Sequence, residues 1–224
     1  MIGSEKKKRS IIVGSLILLL LVVDQIVKIL VKTNMALGDS IEITKWFYIH
    51  FTENPGMAFG WDFFNKYILT IFRIVASMGL LYLIVRLIKS YDEEKPRYSL
   101  GFILTISAIF AGAFGNIIDS VFYGQLFSHS HGQVAQFLPA EGGYAPWLNG
   151  KVVDMFYFPI IQTVWPSWVP FFGGEELIFF RPIFNVADAC ISVGGILLIT
   201  LYYKSFGRLI ESSKKHEDST EEKV

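Results

Sequence analysis

Two short segments of this chain carry the same polar spacing. Asn116 and Asp119 stand three residues apart, and so do Asn185 and Asp188. On a helix that spacing sets an amide and a carboxylate on one face. A third carboxylate, Asp154, lies between Val152-Val153 and Met155-Phe156-Tyr157-Phe158. An acid in so apolar a stretch should face a partner or a water-filled pocket. A fourth, Asp24, interrupts a long apolar run, with Lys28 one helical turn further on. Such a set can perform acid–base chemistry on water. Two carboxylates held close cannot both ionise easily, so one keeps a proton and the pair titrates as a unit. The ionised member takes a proton from water while the neutral one polarises a carbonyl, the logic of aspartic peptidases.

Each acid also has a plainer explanation. Asn185 could cap the helix that follows it, with Asp188 near the positive helix end. Asp119 could end its helix among lipid headgroups. Asp24 and Lys28 could be an ion pair on one helix face that serves structure. Competing chemistries lack residues. The single cysteine, Cys190, excludes an intrachain disulfide and a Cys-based metal motif. Gly-x-Ser-x-Gly, His-Glu-x-x-His and a Walker loop are absent. His129-Ser130-His131 is the one histidine cluster, and it reads as a solvated loop without a further ligand set.

The elements that must position these groups are membrane spans. Of the 224 residues, 52% are hydrophobic and only 18% charged, an excess that makes the bilayer the expected solvent. The formal net charge of zero argues against nucleic acid as a partner. Apolar runs predict four helices, over about residues 11–31, 67–88, 100–118 and 186–203. The first is roughly 30 Å long at about 1.5 Å per residue, enough for a hydrocarbon core. Lys6, Lys7, Lys8 and Arg9 precede it in the manner of a signal peptide. The run continues past Asp24 to Val31 with no small-x-small cleavage site, so it is expected to stay as a true span. With the N-terminus inside, 13 lysines and arginines fall in inner segments and five in outer loops. That bias puts both termini in the cytoplasm. The outer loops are then 32–66 and 119–185, and the cytoplasmic tail 204–224, all within a single domain. In the first loop, Ile41–Thr44 and Trp46–Phe51 read as short strands. The second carries Trp147, Trp165, Trp168, Phe171, Phe172, Phe179 and Phe180, suited to a layer on the membrane interface. Its stretch 122–150, punctuated by five glycines and two prolines, is expected to be a mobile or irregular cover. The tail after Glu211 is charged and expected to be disordered.

Five blocks in order resemble a known family. They are Asp24-Gln25 with Lys28, then Glu53-Asn54-Pro55-Gly56-Met57-Ala58-Phe59, Gly115-Asn116-Ile117-Ile118-Asp119, Val152-Val153-Asp154-Met155, and Phe184-Asn185-Val186-Ala187-Asp188. On a four-span topology they resemble lipoprotein signal peptidase, or signal peptidase II, over roughly residues 10 to 205. The resemblance implies an all-α membrane fold of four transmembrane helices with a small extracytoplasmic β-sheet cradle and extended outer loops. It implies an aspartic endopeptidase of the bacterial cytoplasmic membrane, active at its outer face. The enzyme would cut prolipoproteins just before a cysteine already bearing diacylglycerol, with no metal or organic cofactor. The catalytic dyad would be Asp154 and Asp188. Supporting or substrate-binding residues would be Asp24, Asn54, Gly56, Asn116, Asp119 and Asn185. Its partners would be diacylglyceryl-prolipoproteins and membrane lipid, not nucleic acid, and the chain would be a monomer. Three departures stand out: Ser120 where the family usually has arginine, longer stretches on both sides of Asp154, and Cys190 where a small residue is common. Cys190 is expected to be a buried small side chain.

Two other classes compete. An ion-coupled transporter would also hold membrane carboxylates, but near mid-bilayer and in repeated halves. A non-enzymatic assembly factor would leave the outer-face aspartates unexplained.

Overall fold

In hydrocarbon no water is present to satisfy backbone N–H and C=O groups, so long apolar runs must fold as helices, even when rich in Val and Ile. The computed structural model describes residues 2–55, 66–91 and 97–211. Gly56 and the Met57-Ala58-Phe59 that follows it lie outside the described residues, as does the charged tail after Glu211. Helix α1 spans Ile2–Asn34, α2 Lys66–Lys89 and α3 Leu100–Ile118. Among the described residues these three are long and apolar enough to cross a bilayer.

The fourth expected span is shorter than its apolar run. Helix α5 covers Val186–Thr200, 15 residues, or about 22 Å against a hydrocarbon core of roughly 30 Å. Tyr202 N–H bonds to Leu197 O five residues back, which widens the last turn. The chain then bends by 85° into a final helix, α6, over Tyr203–Glu211. The two count as one span only if the bent pair is taken together.

The third helix also departs from expectation, in the other direction. It does not stop at Ile118. A π-helical turn over Asp119–Tyr123 and a short α4, Gly124–Leu126, continue it. Ser120 Oγ donates back to Asn116 O at 2.9 Å, the kind of side-chain competition that loosens regular i→i−4 bonding.

Strands complete the fold, so the description all-α covers the spans alone. β1 (Ser40–Thr44), β2 (Phe47–Asn54), β3 (Val152–Tyr157) and β6 (Ile183–Phe184) form one antiparallel sheet in the order β1-β2-β3-β6. β4 (Ile161–Val164) and β5 (Glu176–Phe179) form a second, two-stranded sheet. Strands β1 and β2 fall where the β-branched and aromatic residues of the first loop predict them. In the β2–β3 ladder Thr52 pairs with Asp154, Glu53 with Val153 and Asn54 with Val152.

The chain groups into two compact units. One draws on Met1–Leu21, Val75–Phe114 and Ala187–Val224, and its core includes Val13, Ile84, Leu87, Phe102, Ile103 and Ile106. Here a side chain at Gly112 would meet Ala187 O and Ile191 Cγ1, so the glycine lets α3 approach the first turn of α5. The other unit, Val22–Ile74 and Gly115–Val186, holds the four-stranded sheet, and its core includes Val31, Phe51, Tyr123, Phe127, Val153 and Met155.

Within the second unit the stretch 122–150 is irregular, as its glycines and prolines predict, but it is tied down rather than loose. Phe127 and Ser130 are fully buried. Leu37 N bonds to Ser130 O, Tyr144 N to Phe127 O, Ala145 N to Gly124 O and Gly150 N to Ser120 O. A side chain at Gly150 would collide with Asp119 O, so only glycine lets the returning chain cross the π-turn so closely.

Candidate active site

The second half of α1 carries Asp24, Lys28 and Lys32 at successive i+4 positions, and all three side chains are buried. Buried charges need partners. Lys28 Nζ lies 2.9 Å from Asp24 Oδ2 and 2.9 Å from Asp119 Oδ2, and it donates to Asn116 Oδ1 at 2.8 Å. The structural reading of Asp24 and Lys28 as an ion pair therefore holds, and the pair extends to α3. Gln25 Nε2 donates to Asp119 Oδ1 at 3.0 Å and to Asp24 Oδ2 at 3.1 Å. Gln25 Oε1 accepts from the Tyr123 hydroxyl at 3.1 Å, a group delivered by the π-turn.

From this ionic centre two routes lead to Asp154. Asp119 Oδ2 accepts the backbone N–H of Val153 at 3.1 Å, which fixes β3 one residue before Asp154. Asn185 Nδ2 donates to Asp154 Oδ1 at 2.6 Å, with Asn116 Oδ1 at 3.1 Å and Val153 O at 3.3 Å also within reach. Capping of α5 alone would not place that amide in such a cluster. Asp24, Asn116, Asp119, Asn185 and Asp154 thus form one buried network with Lys28, Gln25 and Tyr123. Asn54 ends β2 opposite Val152, two residues from Asp154. Asp188 sits half-buried in the first turn of α5, three residues after Asn185.

A second charged cluster adjoins this one along the β2–β3 ladder. Glu53 Oε1 accepts from Lys32 Nζ at 2.5 Å and from Ser130 Oγ at 3.1 Å, while Oε2 accepts from Lys151 Nζ at 3.1 Å. Lys32 also lies over the Tyr144 ring at 5.0 Å and the Phe127 ring at 5.6 Å. The cluster ties the end of α1 to β2, to the long loop and to the residue before β3. From sequence, Lys28 reads only as the partner of Asp24, Glu53 and Gln25 carry no assigned role, and Lys32 falls in the first outer loop. The available signal was the Asp24, Lys28, Lys32 spacing, three ionisable residues on one helical face.

Burial alone would raise the Glu53 carboxyl, but Lys32 and Lys151 outweigh it and hold the group below its ordinary 4.5. A depressed folded-state value adds stability that is fully present above the unfolded value and lost as pH falls through the folded one. Glu53→Gln is therefore expected to destabilise the protein near neutral pH by roughly 3–5 kcal/mol, since it leaves Lys32 buried without its anion. Thermal unfolding of both proteins, followed from neutral pH to well below 4.5, should show the gap narrowing on the acid side. A gap independent of pH would contradict this account.

The departures from the family pattern also find places. Ser120 is buried in the π-turn with its hydroxyl bonded back to the helix. Cys190 is half-buried on α5, not fully buried as expected. The His129 and His131 rings stand 6.5 Å apart, and among the described residues no group of three His, Cys, Asp or Glu side chains is placed to hold a metal ion.

Comparison with known proteins adds an independent line. The sequence profile described as signal peptidase (SPase) II matches residues 16–204. A lipoprotein signal peptidase of Porphyromonas gingivalis is 52% identical over 211 residues, covering 94% of this chain and 91% of the relative. One of Amoebophilus asiaticus is 35% identical, covering 81% of this chain and 73% of the relative. A bacterial membrane enzyme solved by the in meso method superposes with a TM-score of 0.58 at 26% identity, over 88% of this chain and 90% of that one.

Proposed function

This chain belongs to the signal peptidase II family, and from that premise we propose that it is an aspartic endopeptidase using Asp154 and Asp188 as its dyad. The family makes it a peptidase and a multi-pass bacterial membrane protein that removes signal peptides from prolipoproteins. The finer reading is ours. Cleavage falls just before the diacylglyceryl cysteine. The sheet and the dyad lie at the outer membrane face, both termini lie in the cytoplasm, and the enzyme works as a monomer without cofactor.

The observation that carries the reading is the single buried network that gathers four of the family's five sequence blocks around Asp154. In it Asp154 Oδ1 accepts from Asn185 Nδ2, which fixes the orientation of the carboxylate. One aspartate takes a proton from water as the water oxygen attacks the scissile carbonyl carbon. The other donates its proton to the carbonyl oxygen. Collapse of the tetrahedral diol breaks the C–N bond, and the leaving amine takes a proton from the dyad. Asn54, Asn116 and Asn185 hold the extended peptide or orient the carboxylates. Substrate and enzyme meet because both the signal helix and the lipid partition to the bilayer, each buried methylene adding about 0.8 kcal/mol.

The test is cleavage of a synthetic prolipoprotein peptide by the purified protein, read by mass spectrometry. The lipidated peptide should yield a product whose first residue is the modified cysteine, and the unlipidated peptide should remain uncut. A chelator should leave the rate unchanged. Activity lost in chelator and restored by a divalent ion would overturn the dyad mechanism.

A further inference from the structure

We infer that the β4–β5 hairpin is a membrane-dipping element, whose aromatic tip inserts among the acyl chains of the bilayer that holds the spans. The proposal rests on the family's membrane setting and not on the dyad.

The hairpin is a closed excursion from the four-stranded sheet. It leaves after Tyr157 and returns at Ile183, and those two residues pair with each other. All four residues of β4 are exposed. A recess of about 360 Å³ lined by His50, Tyr157, Glu176, Ile178, Arg181 and Ile183 sets the hairpin off from the sheet. It therefore gains little from packing on its own protein.

Its surface is wrong for water. Residues 166–174 contain no charged side chain; Glu175 and Glu176 follow them where the ladder begins, Glu176 opposite Val164, and Arg181 lies beyond β5. At the tip Trp168 is 80% exposed, Phe171 96% and Phe172 52%. Phe171 has φ 69°, a left-handed backbone that is costly for a bulky residue. Exposed tryptophan and phenylalanine in an uncharged loop of a membrane protein suit the bilayer interface.

Part of the hairpin backbone is also internally paired, which matters in an apolar medium where an unpaired N–H or C=O is expensive. The strands pair from Ile161↔Phe179 to Val164↔Glu176. Beyond them Trp165 N bonds to Glu175 O, Val169 N to Pro166 O, Gly173 N to Val169 O and Gly174 N to Trp165 O.

The test uses the full chain in vesicles of phosphatidylethanolamine and phosphatidylglycerol. A nitroxide is attached at Phe171→Cys or at Glu175→Cys, each in a Cys190→Ala background. Both positions lie in the hairpin away from the proposed active-site residues. Power saturation compares collisions with oxygen, which concentrates in acyl chains, and with a water-soluble nickel chelate. The label at Phe171 should favour oxygen, and the balance should shift to the chelate at Glu175. Preference for the chelate at Phe171 would place the tip in water and overturn the proposal. Protection from both reagents would mean a second copy or another protein covers the tip, and would overturn it as well. The readout needs no catalysis, so it can fail while the peptidase assignment stands, and the reverse.

Discussion

Asp154→Asn and Asp188→Asn are each expected to reduce cleavage of a lipidated prolipoprotein peptide by roughly 10³-fold or more, the scale of a lost general acid or base. The fold should survive both changes. Asp154 accepts from Asn185 through Oδ1, and an amide at that position still presents a carbonyl oxygen to the same donor. Asp188 is half-buried at the start of α5, and asparagine is its near-isosteric neutral replacement. What each variant loses is a proton that can be exchanged with water. Single-turnover rates on purified protein, with a melting temperature beside each, separate chemistry from folding. Turnover within about tenfold of the parent by either folded variant would remove that aspartate from the dyad.

Much of this arrangement is legible in sequence because membrane physics is strict. The third helix begins at Leu100, where its apolar run predicts. The reasons for the misses are equally physical. Nothing in the residues after Asp119 repeats at helical spacing, so the π-turn that brings Tyr123 to Gln25 is invisible until the structure is seen. The break after Thr200 falls inside an apolar run, where hydropathy has no resolution. The β4–β5 hairpin lacks polar–apolar alternation since its strands have no clearly buried face, and it reads as an aromatic loop. Lys28 was visible as the partner of Asp24 four residues away. Its contacts with Asn116 and Asp119, about ninety residues distant in sequence, depend on tertiary packing that periodicity cannot supply.

Those contacts give Lys28→Met a large expected effect on both stability and cleavage. Lys28 lies within ion-pair distance of both Asp24 and Asp119. Its removal leaves two carboxylates buried without it, a change that costs roughly 3–5 kcal/mol when one partner of a buried pair is lost. Asp24→Asn should cost less, about 1–3 kcal/mol, because Lys28 keeps Asp119 and Asn116. The two changes should not add. In the Lys28→Met background, Asp24→Asn removes one of the two carboxylates that lost the ammonium and should recover part of the lost stability, a coupling expected of contacting groups. Cleavage per folded molecule should also fall in Lys28→Met. Asn116 loses the ammonium that fixes its amide oxygen, and Asn116 and Asp154 share the Asn185 donor. The measurement is a thermal unfolding series on the parent, the two single variants and the double, with cleavage rates taken well below each midpoint. If Lys28→Met melts with the parent, or if the double variant is less stable than Lys28→Met alone, Lys28 does not hold the two aspartates together in the folded enzyme.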